Sequence, residues 1–229
     1  MYKGFRIGKW AVSAALLGGL LGVAAQAAPE CPPAGAWTTP GGERLEATAL
    51  FDELASSDVV LLGERHDRAD HHRWQLGTLA GLLGRRPDLV IGLEMLPRSK
   101  QPVLDAWVAG ELDPETFIEA SGWYRHWGFD PRLYWPVLHF ARVHDIPLLA
   151  LNLEREAIQR LGQDGWDALD AEDRDGVSAP AAASAGYREY LKSVLEGHPG
   201  SARLDTERFV ATQLAWDRMM AGAIADRLK

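Results

Sequence analysis

Glu64, His66 and Glu94 are the residues whose types and spacing could do chemistry in this chain. Glu64 and His66 follow the apolar run Val59–Leu62. Glu94 closes a second run, Leu89–Met95, and Asn152 follows a third, Leu148–Leu151. Two carboxylates, an imidazole and an amide at neighbouring strand ends suit metal binding or acid/base work. The competing assignment pairs the carboxylates with Arg65, Arg73 or Arg98, because ionic networks also cluster acids. His71 and His72 come next, at the start of a predicted helix, where one faces the cleft and the other solvent. Three of the seven histidines thus fall between positions 66 and 72.

A second concentration of functional groups is aromatic. Between Ser121 and Pro136 lie Trp123, Tyr124, His126, Trp127, Phe129, Tyr134 and Trp135. Such a segment either covers a core or walls a pocket for a flat ligand. Tyrosine oxygen suits ferric iron, which makes Tyr124, Tyr134, Tyr187 and Tyr190 candidate haem ligands. Other chemistries find no support. There is no G-x-S-x-G elbow, no glycine-rich phosphate loop and no C-x-x-C-H for covalent haem attachment.

The elements that must position these groups alternate. Strands are predicted at Val59–Leu62, Leu89–Met95 and Leu148–Leu151, the first buried on both faces. Helices are predicted over Glu43–Leu54, Ala69–Leu83 (capped by Gly84), Arg98–Ala109, Pro136–Val143, Glu154–Leu161, Gly186–Leu195 and Leu204–Lys229. Another begins at Pro114 with Asp113 as its N-cap. Asp164–Ser184 is poor in large apolar residues and reads as a flexible excursion or lid. The alternation implies an α/β fold, a mostly parallel sheet with helices on both faces. Glu64, His66, Glu94 and Asn152 would then gather at the carboxyl edge, where open α/β sheets bind ligands.

The N-terminus reads as an export signal. Lys3, Arg6 and Lys9 precede the apolar stretch Ala11–Val23, and Ala25-Gln26-Ala27 is a cleavage site. The expected organisation is a signal peptide over 1–27, a flexible leader over 28–42 and one domain over 43–229. Cleavage would remove three cations from a chain whose formal net charge is already -8. Such acidity does not suit nucleic acid. Cys31 is the single cysteine, so no internal disulfide can form. Ala28-Pro29-Glu30 before it is not a lipobox, and the expectation is a soluble periplasmic protein.

The ordered motifs resemble a known family. They are Val59–Asp67 with His71-His72, then Gly92-Leu93-Glu94-Met95 with Gln101 and Leu104-Asp105. Trp127, Tyr134-Trp135-Pro136, Phe140-Ala141-Arg142, Ile146-Pro147 and Ala150-Leu151-Asn152 follow. Gly186-Tyr187, His198 and Gln213–Ala221 complete the series. Together they resemble the ChaN-like haem-binding uptake family of the Tiki/TraB/erythromycin-esterase-like superfamily. The resemblance implies an α/β fold and an exported, non-catalytic protein that binds haem or a related iron compound in iron acquisition. It further implies a homodimer and an outer-membrane receptor system as partner. In a characterised member, cofacial haems lie between two subunits and a tyrosine ligates iron. Carried over, this makes Tyr134 the first and Tyr187 the second candidate ligand, with His71, His72 and Trp127 in the haem site. Metal-dependent peptidases of the same superfamily imply a second reading, a hydrolase with a divalent metal on Glu64, His66 and Glu94. Relatives continue into a further strand and a second G-x-G-H-like turn, so a C-terminally truncated, inactive member is a third reading.

Overall fold

The computed structural model describes residues 31–174, 176–196 and 205–229. The expected signal peptide, the first leader residues, His198 and Leu204 lie outside them. The chain divides into two compact units, Met1–Arg44 and Leu45–Lys229. In the first, β1 (Trp37–Thr38) precedes a turn in which Gly42 takes φ +88. The short strand β2 (Arg44–Leu45) marks the junction. Cys31 is exposed with a free thiol.

The second unit is built on two parallel strands, β3 (Ile91–Pro97) and β4 (Leu148–Asn152). Ile91 pairs with Leu148 and Leu93 with Ala150. The register then shifts, and Pro97 lies opposite Asn152. Leu151 packs over Gly92: a Cβ there would come within 2.9 Å of Leu151 Cδ1, so that side chain would have to shift. Before β3 stand α1 (Ala47–Ala55) and α2 (Ala69–Leu83), and between the strands α3 (Gln101–Val108), α4 (Pro114–Ser121), α5 (Trp123–His126) and α6 (Trp135–Val143). Then come α7 (Arg155–Asp164), α8 (Ala171–Arg174), α9 (Ala185–Glu196) and α10 (Thr206–Arg227).

Two apolar clusters hold this unit together. The larger joins Ile91, Leu93 and Met95 of β3 and Leu148 and Ala150 of β4 to Leu104 and Trp107 of α3, Phe117 of α4, Trp123 of α5 and Leu138 of α6. The smaller joins Leu153, Ala157 and Leu161 to Ala215 and Met219 of α10. Trp107 is fully buried, and its indole N–H donates to Leu138 O at 2.9 Å. Gln101, at the start of α3, serves the outer edge of β4. Its amide donates to Leu148 O at 2.7 Å and its carbonyl accepts from Ala150 N at 2.9 Å. The side chain therefore stands where a neighbouring strand's backbone would.

Several expectations are met closely. The third predicted strand and the helix before it fall where the pattern puts them. Asp113 caps α4 by accepting from Thr116 N at 2.8 Å. Others need correction. Val59–Leu62 is not a strand buried on both faces. It forms no ladder, and Val59 and Leu61 are 42% and 83% exposed. Only alternate residues turn inward, and the Leu62 carbonyl is taken by the Gln75 side chain at 2.9 Å. The second strand starts two residues late and runs through Met95 to Pro97, so Glu94 lies within it rather than at its end. The first helix starts at Ala47 rather than Glu43. Nor is the stretch after Asp164 without structure. Leu169 is buried in the smaller cluster, and Asp173 forms an ion pair with Arg160.

Candidate functional site

The segment Glu64–Asp67 leads from Val59–Leu62 into α2, and its side chains meet those of β3 and of the aromatic stretch. His66 Nδ1 lies 2.7 Å from Glu64 Oε1 and 3.8 Å from Glu94 Oε1. One ligand atom from each of Glu64, His66 and Glu94 can be chosen so that all lie within 4.8 Å of one another. This is the clustering that metal ligation requires. Among the described residues, the basic side chains within 4 Å of the Glu64 and Glu94 carboxylates are imidazoles rather than guanidinium groups. The arginine pairing weighed from the sequence is absent there.

Behind Glu64 the site is closed. The Glu64 side chain is 8% exposed and that of His72 only 2%. His72 Nε2 lies 3.6 Å from Glu64 Oε2 and 3.2 Å from His66 O. Tyr134 donates its hydroxyl to Glu64 Oε1 at 3.2 Å, and its ring packs edge-on to His72 at 4.5 Å. Burial, helped by the Glu64 carboxylate, raises the Tyr134 phenol well above its ordinary pKa. Burial also raises the Glu94 carboxyl. The Glu64 charge adds to that rise, and His66 opposes it.

In front of His66 lies a cavity of about 390 Å3, toward the lower end of ligand sites. Its aromatic wall is Trp127, Phe129 and Trp216, and His66, His126, Arg155 and Gln159 are among its polar lining residues. The His66 ring packs against Trp127 at 4.5 Å and Phe129 at 5.0 Å. Its Nδ1 is held by Glu64, a carboxylate–imidazole arrangement that fixes ring orientation. The helix α5 that carries His126 is tied down from both sides. Trp123 Nε1 donates to Phe129 O at 2.7 Å, and Arg155 of α7 donates to Arg125 O at 2.6 Å. Asn152 also lines the cavity, but its amide is committed to backbone. It donates to Glu94 O at 2.7 Å and accepts from Leu153 N at 2.8 Å.

The structure therefore gathers Glu64, His66, His72, Glu94, Trp127 and Tyr134. The expectation that one of His71 and His72 faces the cleft and the other solvent is corrected, since neither lines the cavity and His71 is half-buried. His72 is the buried one, and His71 uses Nδ1 to accept from Arg65 N at 3.0 Å. Tyr187 is placed in a different depression, with Leu214, Asp217 and Arg218. Its hydroxyl donates to Asp217 Oδ2 at 2.5 Å, and burial with that carboxylate pushes its pKa up to about 12. Sequence reasoning did not assign His126, Phe129, Arg155 or Trp216 to the site. The first two sit in the flagged aromatic segment. Trp216 reads from sequence only as an apolar anchor of a long helix, and Arg155 carries no local signal.

A family model described as haem-binding uptake, Tiki superfamily, ChaN matches residues 50–229. A search of curated proteins gives no match. Among solved structures, one described as cofacial heme binding to ChaN of Campylobacter jejuni is similar, with a TM-score of 0.60 and 20% sequence identity. The similarity covers 80% of this chain and 72% of that one, and at this identity it bears on fold.

Proposed function

Because the chain belongs to the haem-binding uptake family of the Tiki superfamily, the ChaN family, we propose that it binds haem or a related iron compound in iron acquisition. In this reading it is exported to the periplasm, acts without turnover and works as a homodimer that receives its ligand from an outer-membrane receptor system. The observation that carries the reading is the cavity, aromatic on one wall and with His66 and His126 among its lining residues. Trp127, Phe129 and Trp216 would line the contact with a flat macrocycle. Bound haem would supply the iron centre. The chain's own residues bind it, orient it and keep water from one of its faces. Titration of the purified protein with hemin tests the proposal. A saturable Soret shift is expected, and no shift at micromolar protein sinks it. Light scattering with and without hemin tests the dimer.

A second reading has its own observation, the approach of Glu64, His66 and Glu94 ligand atoms to within 4.8 Å. On that reading a divalent cation binds there and the protein is a metal-dependent hydrolase. Elemental analysis of protein purified without chelator separates the two. Stoichiometric zinc or manganese lost in Glu64→Gln supports a hydrolase; metal-free folded protein that binds hemin excludes it.

A further inference from the structure

We propose that Arg155 is the carboxylate-binding residue of the cavity, so that the ligand is selected as a flat ring carrying an acidic side group. The inference rests on the haem-binding reading above and adds the group by which the ligand is recognised. The first observation is charge. The chain carries 32 Asp and Glu against 24 Lys and Arg, yet among the described residues no Asp or Glu lines the cavity and one Arg does. The second is placement. Arg155, Ile158 and Gln159 stand at i, i+3 and i+4 on α7, so one face of that helix meets the cavity. Arg155 Nη1 donates to Arg125 O at 2.6 Å, next in the chain to the lining residues His126 and Trp127. That bond holds the guanidinium itself, and not only its aliphatic stem, at the cavity's edge.

The third observation is what Arg155 leaves free. The acids on either side of it in the chain are engaged elsewhere: Glu154 accepts from Ser99 Oγ, and Glu156 pairs with Arg125 at 2.5 Å. Among the described residues no carboxylate pairs with Arg155, and its Nε and Nη2 bond no protein group. That edge of a guanidinium is the fork that takes both oxygens of a carboxylate in two parallel bonds. The neighbouring arginines differ, since Arg125 and Arg160 each hold an acid. An arginine without an acid beside an aromatic wall suits a ligand that brings its own anion, and haem carries two carboxylate side groups. Trp127, Phe129 and Trp216 then meet the ring. The contact is an ion pair with hydrogen bonds, and no proton or electron is transferred.

The test is Soret titration of the full chain with hemin and with hemin dimethyl ester, which keeps the ring and the iron but loses both anions. Wild type, Arg155→Ala and Arg155→Lys are compared. Far-UV circular dichroism and urea midpoints establish that each variant is folded. Wild type should bind hemin about tenfold more tightly than the ester, the scale of one charge-assisted contact. Arg155→Ala should weaken hemin by about the same factor and leave the ester unchanged. Arg155→Lys should fall between, because it keeps the charge without the fork. Raising salt should weaken hemin binding more in wild type than in Arg155→Ala. Equal affinity of wild type for acid and ester overturns the proposal. So does an equal loss for both ligands in folded Arg155→Ala, which a purely structural role through Arg125 O would give, or no loss for either. Those results leave haem binding intact, whereas absence of a wild-type Soret shift with either ligand removes the haem reading and this contact together.

Discussion

Replacing Tyr134 by Phe isolates one bond of the site without changing ring packing. The hydroxyl donates to Glu64 Oε1 at 3.2 Å from a residue that is 4% exposed. Hydrogen bonds to charged groups contribute about 1.5–3 kcal/mol net. This one is long, and Glu64 Oε1 keeps His66 Nδ1 at 2.7 Å after the substitution. The low end applies, so Tyr134→Phe should destabilise by about 1.5 kcal/mol. In a chain of this size that corresponds to a fall in melting temperature of about 3–6 °C. Urea unfolding is the assay, with the midpoint falling and the slope unchanged. The double variant with Glu64→Gln closes a thermodynamic cycle. If Tyr134→Phe matches wild type to within about 0.5 kcal/mol, or the two substitutions are simply additive, the hydroxyl does not hold the carboxylate and the account of the site's rear wall fails.

Three further outcomes are expected. Gln101→Met keeps the side-chain length but leaves Leu148 O and Ala150 N without their partner, and should cost about 2–4 kcal/mol in urea unfolding. Gly122→Ala puts a side chain in the left-handed region and against His126, so it should destabilise by about 1–2 kcal/mol and perturb the spectrum of any hemin complex. Glu94→Gln tests a pH dependence. Burial raises the Glu94 pKa in the folded state, so its contribution is full below the unfolded carboxylate value and is lost as pH rises through the folded value. Relative to wild type, the amide should therefore stabilise more at pH 7 than at pH 4, as read from urea midpoints; the opposite trend would show the carboxylate to be stabilised as an anion.

Much of the scaffold was legible because it rests on local rules. The Asp113-Pro114 pair fixes a helix start through one side chain and one ring. The run Leu148–Leu151 is bounded by Pro147 and Asn152, and it became a strand as read. The cluster of Glu64, His66 and Glu94 could be anticipated because apolar runs lead the chain to one edge. What escaped was set at long range. The exposure of Val59 and Leu61 depends on which elements stand beside that segment, and an apolar run does not contain that information. Tyr134 was chosen for its oxygen, but its neighbours turn that oxygen inward to Glu64. His126 and Trp216 share a cavity though 90 positions apart, and Tyr187 was separated from the site by the packing of α9 on α10.

The Gln101 amide has a consequence for association. Exposed strand edges present unpaired backbone groups that template pairing with another chain, and proteins blunt them to avoid aggregation. On the outer side of β4, the Leu148 carbonyl and the Ala150 N–H are already occupied by a single side chain. A foreign strand arriving there must first displace both bonds. One glutamine therefore blunts this stretch of the β4 edge against pairing with another chain.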